Sequence, residues 1–119
     1  VCASECNVHP NYKEKIVRAN DRATAVTGRS IGHPVRALRN KFIKQFEELE
    51  KKGASSAEIE AFGSGKLRLA VVDGDAEMGS MMAGQSAGLV KAVEPAADII
   101  NDIITGAVKC ADSMRRFSQ

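Results

Sequence analysis

The sequence predicts a mainly α-helical unit carrying one or two short strands. Three observations predict it. Apolar residues recur at helical spacing in most runs of the chain; proline and glycine stand where those runs start and stop; and a short run from Ala23 to Thr27 has β-branched residues and stops at Gly28. The length of 119 residues suffices for one domain and not two, and 44% apolar with 27% charged residues is a globular composition, not a disordered one.

His9-Pro10 opens the first helix, because proline is tolerated where its missing N–H would be unpaired anyway. Val8, Tyr12, Ile16 and Val17 give this helix an apolar stripe ending near Asn20. Ala23 to Thr27 reads as a short extended segment that stops at Gly28, and Gly28, Gly32 and Pro34 keep the following stretch irregular. Leu38, Phe42, Phe46 and Leu49 recur at helical spacing up to Gly53, with Glu47/Lys51 and Glu48/Lys52 as i,i+4 pairs on the opposite face. On this reading the two phenylalanines belong to the core. Ser55 followed by Glu58 is a capping box, opening a helix that carries Ile59 and Phe62 to the break Gly63-Ser64-Gly65. Leu67, Ala70 and Val71 predict one more helical stretch, stopped at Gly74. Glu94-Pro95 starts the last helix, whose stripe of Ile99, Ile100, Ile103, Ile104, Ala107, Val108, Ala111 and Met114 is broad enough to demand burial.

This inventory leaves one strand without a partner and several apolar faces with little to cover them. The chain also opens abruptly on Val1-Cys2-Ala3-Ser4, and the expectation is that it is the end of a larger protein.

Charge excludes some functions. Seventeen Lys and Arg against fifteen Asp and Glu give a net +2, too near neutral for a nucleic-acid or anionic-membrane surface. No apolar run is long enough for a membrane span and the start lacks the features of a signal peptide, so a cytoplasmic protein is expected. Three cysteines, Cys2, Cys6 and Cys110, suit free thiols better than a closed disulfide set. Cys2, Cys6 and His9 lack the spacing and the fourth ligand of a zinc site, and no metal is expected.

The segment from Gly79 to Leu89, GSMMAGQSAGL, sets three glycines and two alanines around Gln85, Met81 and Met82. Glycine permits close approach of a flat ligand to the backbone, and the Gln85 carboxamide offers both a donor and an acceptor. The alternative is a tight crossing in which Gly84, Ala87 and Gly88 only let elements pack closely.

Three stretches together carry a family resemblance: ECNVHPNYKEKIVRA (Glu5 to Ala19), TGRSIGHPVRALRNKF (Thr27 to Phe42) and VVDGDAEMGSMMAGQSAGLV (Val71 to Val90). Their most specific pieces are HPNYKEKI, GHPVR and G-x-x-x-A-G-Q-x-A-G-L, in that order. The chain resembles the carboxy-terminal part of the FMN-dependent enoyl-acyl-carrier-protein reductase II group, within the nitronate monooxygenase (2-nitropropane dioxygenase-like) family. The helical region from Asn40 to Gly74 is more similar to the reductases than to the monooxygenases.

The resemblance implies an α/β fold, the carboxy-terminal portion of an FMN-binding (β/α)8 TIM barrel. Residues 1–23 would be the end of the last barrel strand and its helix, 24–93 a mainly helical cap over the flavin, and 94–119 a helix returning to the barrel. It also implies that the FMN-phosphate loops and the catalytic histidine precede Val1, so no catalytic residue lies in this chain and neither His9 nor His33 takes that role. Gln85, Met82, Gly84 and Ala83 are the implied cofactor-binding residues. Arg29, His33 and Arg36 are candidates for the substrate or the nicotinamide phosphates, or else ordinary surface and subunit-interface pairs. The implied reaction reduces the C2–C3 double bond of an enoyl thioester on acyl carrier protein, with NADH or NADPH as reductant. Implied partners are the missing barrel segment, the acyl carrier protein and a second subunit in a homodimer. Two alternatives stand beside it: oxidation of alkyl nitronates with FMN and O2, and a non-enzymatic helical interaction domain.

Overall fold

A computed structural model describes residues 1–115. Proline fixes its first helix: α1 (Pro10–Val17) begins at Pro10, and the His9 ring caps it by accepting the Asn11 amide at 3.2 Å. One face carries Tyr12 and Ile16 inward. Lys13 is buried as well, with its ammonium donating to the Ala3 carbonyl at 2.8 Å, so its charge is met by a backbone dipole.

Strand β1 (Thr24–Thr27) lies where β-branched residues predict it, and it is not an orphan. Strand β2 (Val35–Leu38) pairs with it antiparallel, Thr24 opposite Leu38 and Thr27 opposite Val35. The partner is hard to see in sequence because it is only four residues long, Arg36 interrupts its apolar pattern, and Leu38 continues the helical spacing of Phe42 and Phe46. A further extended segment runs along the free edge of β2. There the Leu38 amide donates to the Met81 carbonyl at 2.8 Å and the Ala83 amide to the Arg36 carbonyl at 3.2 Å.

Helix α2 (Lys41–Lys51) therefore starts after Leu38, at the point where Asn40 caps it by accepting the Ile43 amide at 3.0 Å. The expected Glu47/Lys51 pair is replaced by a contact from Glu47 to Arg39 at 3.5 Å. Helix α3 (Ser56–Gly63) carries both halves of the Ser55/Glu58 capping box, and α4 (Lys66–Val71) follows the glycine break.

Two apolar cores result, and β2 serves both because successive side chains point to opposite faces. Leu38 joins Tyr12, Ile16, Ala70, Met81 and Ala87 in the first; Ala37 joins Phe42, Ile43, Phe46 and Ile59 in the second. Phe62 stacks on Phe42 with ring centroids 5.3 Å apart, while Phe46 meets Phe42 edge-on at 5.8 Å.

Helix α5 (Ala96–Arg115) is anchored at its start. The Glu5 carboxylate accepts the Ala96 amide at 3.0 Å, and a short parallel pairing joins Ser4 N–H to the Glu94 carbonyl at 2.8 Å. Beyond that start the predicted burial fails: Ile100, Ile103, Ile104 and Val108 are each more than half exposed. Neither core reaches along this helix, and the molecule measures 58 × 33 × 19 Å. Among the described residues no helix is long and apolar enough to cross a membrane. Cys2, Cys6 and Cys110 are free thiols, and burial pushes the Cys2 thiol above its ordinary pKa.

Candidate functional site

The glycine-rich segment forms a ridge whose inner and outer faces alternate as in a strand. Met81 is wholly buried in the first core, and its neighbour Met82 is 44% exposed. Two elements hold the ridge from opposite sides. The Tyr12 hydroxyl on α1 donates to the Met82 carbonyl at 2.6 Å, and β2 accepts the Ala83 amide. Burial pushes the Tyr12 phenol up to about 12 from 10, and donation to Met82 works in the same direction by favouring the protonated form. After Gly84 the chain turns into a 3-10 helix, Gln85–Leu89, seated on the first core through Ala87. Gly84 and Gln85 are exposed, and their amides have no backbone acceptor among the described residues.

The three glycines of the segment have different causes. A Cβ at Gly79 would lie 2.5 Å from the Asp75 carbonyl oxygen and 2.7 Å from Ala70, and one at Gly88 would lie 2.8 Å from the Asn20 backbone. Close packing within the chain accounts for both. A Cβ at Gly84 would meet only the Ser86 hydroxyl oxygen, at 3.8 Å, so internal packing leaves this glycine unexplained. Of the sequence candidates, Met82, Ala83, Gly84 and Gln85 thus form one continuous ridge, with Ala83 half-buried and the other three exposed.

Arg29 and His33 stand exposed on the loop joining β1 to β2, and half-buried Arg36 donates to the Thr24 hydroxyl at 3.1 Å. Neither Arg29 nor Arg36 lines the cavity that His33 faces. His33 shares this cavity, of about 150 Å³, with Met82, between the hairpin and α2. Sequence reading missed that pairing, which joins residues 49 positions apart through the β2 edge. It also missed Glu50, which accepts the Gly28 amide at 3.1 Å and the Ser30 hydroxyl at 2.6 Å and so fixes the loop carrying Arg29 and His33. Burial alone would raise the Glu50 carboxyl, but the hydrogen bonds from Ser30 and Gly28 outweigh it and hold the group below its ordinary pKa. A larger open concavity of about 620 Å³ lies between residues 1–3, 89–94 and the start of α5, and none of the sequence-nominated site residues lines it.

A family model described as nitronate monooxygenase matches residues 1–106. The chain belongs to the nitronate monooxygenase family. Among solved structures, FabK from Thermotoga maritima is similar over 98% of this chain, with 44% identity and a TM-score of 0.91. A methionine-to-alanine variant of FabK from the same organism matches over 98% as well, with 40% identity and a TM-score of 0.82. The chain spans 37% of the first of these structures and 34% of the second. Its helices and hairpin thus match 37% of FabK, a TIM-barrel enzyme, in line with the fold that the family resemblance implies.

Proposed function

We propose that this chain is part of an FMN-dependent reductase acting on the C2–C3 double bond of enoyl thioesters carried by acyl carrier protein. The observation that carries the reading is the likeness to FabK, an enoyl-ACP reductase II, over 98% of the chain at 44% identity. Membership of a family of flavin-dependent oxidoreductases supports an enzyme over a helical interaction domain. In this reading residues 1–23 belong to the barrel, 24–93 to the cap over the flavin, and 94–115 to a helix that returns to the barrel; residues 116–119 of that last span lie outside the described residues.

The ridge suits a flat, polar-edged cofactor. Gly84 leaves its backbone open, the free amides of Gly84 and Gln85 are donors, the Gln85 carboxamide adds a donor and an acceptor, and Met82 offers a polarizable apolar surface. Met82, Ala83, Gly84 and Gln85 would hold FMN, which when bound supplies the hydride chemistry with NADH or NADPH as reductant. Tyr12 and β2 keep the ridge in place, so that these donors need no rearrangement on binding. Arg29, His33 and Arg36 are assigned to the substrate or nicotinamide side. The whole enzyme works as a cytoplasmic homodimer.

The name of the matching family favours a second reading, oxidation of alkyl nitronates with O2. Assay of the complete protein with crotonyl thioester plus NADH, against a nitronate plus O2, separates the two. Nitronate turnover without enoyl reduction defeats the first.

A further inference from the structure

The cavity between the hairpin and α2 has a use that the ridge does not explain. Its floor is apolar, built from Ala37, Phe42, Ile43 and Phe46, all buried in the second core. Val35 forms one wall, and the lips are the exposed side chains of His33 and Met82. At about 150 Å³ it has the size of a cavity that accepts benzene, a guest of about six carbon atoms. Thr27 and Ser80 also line it, but it is too small for a flavin ring and has no Lys or Arg in its lining to meet a phosphate.

We infer that this cavity, opening between His33 and Met82, receives the distal carbons of the acyl chain and so sets the chain lengths the enzyme prefers. The inference rests on the reading of the protein as an enoyl-thioester reductase. The lip at Met82 is the first residue of the ridge assigned to the flavin, so a chain entering there keeps its reactive end beside the ridge. Each methylene buried in the cavity strengthens binding about fourfold until the space is full.

The test compares kcat/KM for enoyl thioesters of four to ten carbons in the complete, flavin-loaded enzyme and in Val35→Phe. Phenylalanine suits a strand and extends into the cavity from a half-buried wall position. The expected result is little change for the four-carbon substrate and a loss of at least about tenfold for the longer ones, as two or more methylenes are displaced. An unchanged chain-length profile in a folded, flavin-loaded variant overturns the inference and leaves the reductase reading standing. Absence of enoyl reduction in the wild type overturns both. If Val35→Phe does not fold, the dissociation constants of saturated acyl thioesters for the wild-type enzyme decide. A gain with each methylene followed by a plateau supports the cavity; affinities independent of length overturn it, as they would if another part of the protein fills the space.

Discussion

The Tyr12 hydroxyl donates to the Met82 carbonyl at 2.6 Å across 70 positions of sequence, tying the first helix to the ridge. Tyr12→Phe keeps the ring in the first core and removes only this donor. The expected cost is about 1 kcal/mol, the net worth of a partly buried hydrogen bond, read as a lower urea midpoint of the complete protein. Flavin affinity should weaken along with stability, since the carbonyl that sets the ridge has lost its anchor.

The same phenol gives an alkaline signature. Its folded pKa of about 12 lies above the unfolded 10, so the folded state holds the proton more tightly between those values. Stability from Tyr12 is complete below pH 10 and is lost as pH rises toward 12. Thermal melts of wild type and Tyr12→Phe at pH 9 and pH 11 check this: the wild type should lose more between the two than the variant does.

Gly88 and Gly84 should respond in opposite ways to alanine. At Gly88 the new methyl meets the Asn20 backbone at 2.8 Å, and overpacking should cost about 1 to 3 kcal/mol. At Gly84, with φ −74° and open space around it, alanine should leave the melt unchanged and weaken FMN binding. Equal effects of the two on flavin affinity per unit of lost stability would remove Gly84 from the site.

Much of this architecture was legible, and the gaps have physical causes. Pro10, the Ser55/Glu58 box and the phenylalanine stripe each signal through local chemistry, and each stands where it was expected. β2 was missed because a four-residue strand carries almost no periodicity of its own, and Leu38 fits two patterns at once. At the site, the sequence marked Met82 to Gln85 as one segment, but it gave no sign that Gly79 and Gly88 are consumed by packing while Gly84 is not. That distinction depends on Asn20 and Ala70, which only the tertiary fold brings near. The pairing of His33 with Met82 likewise needs the β2 edge, a long-range fact.

Glu50 should act as the clasp of the β1–β2 loop. Glu50→Ala should cost about 1 kcal/mol after solvent screening and free the Gly28 and Ser30 amides to exchange with solvent deuterium. Because the folded carboxyl sits below its unfolded pKa, this contribution is present above the ordinary carboxylate range. It fades as pH falls through the lowered folded value.

Gln85→Ala in the complete enzyme should lower flavin affinity about fivefold to tenfold, the equivalent of one hydrogen bond, without shifting the melt of the flavin-free protein. Unaltered flavin affinity, turnover and KM together would exclude Gln85 from contact with cofactor or substrate.

The bonds that join residues 2–5 to residues 94–96 act on α5 as a root acts on a mast. About 30 Å of helix extends beyond this base, and over that length a tilt of about 10° becomes a displacement of about 5 Å. The Glu5 carboxylate and a few main-chain bonds therefore set the heading with which the isoleucine stripe leaves the two cores. A substitution such as Glu5→Ala would be felt along the stripe toward Val108, far from the residue that was changed.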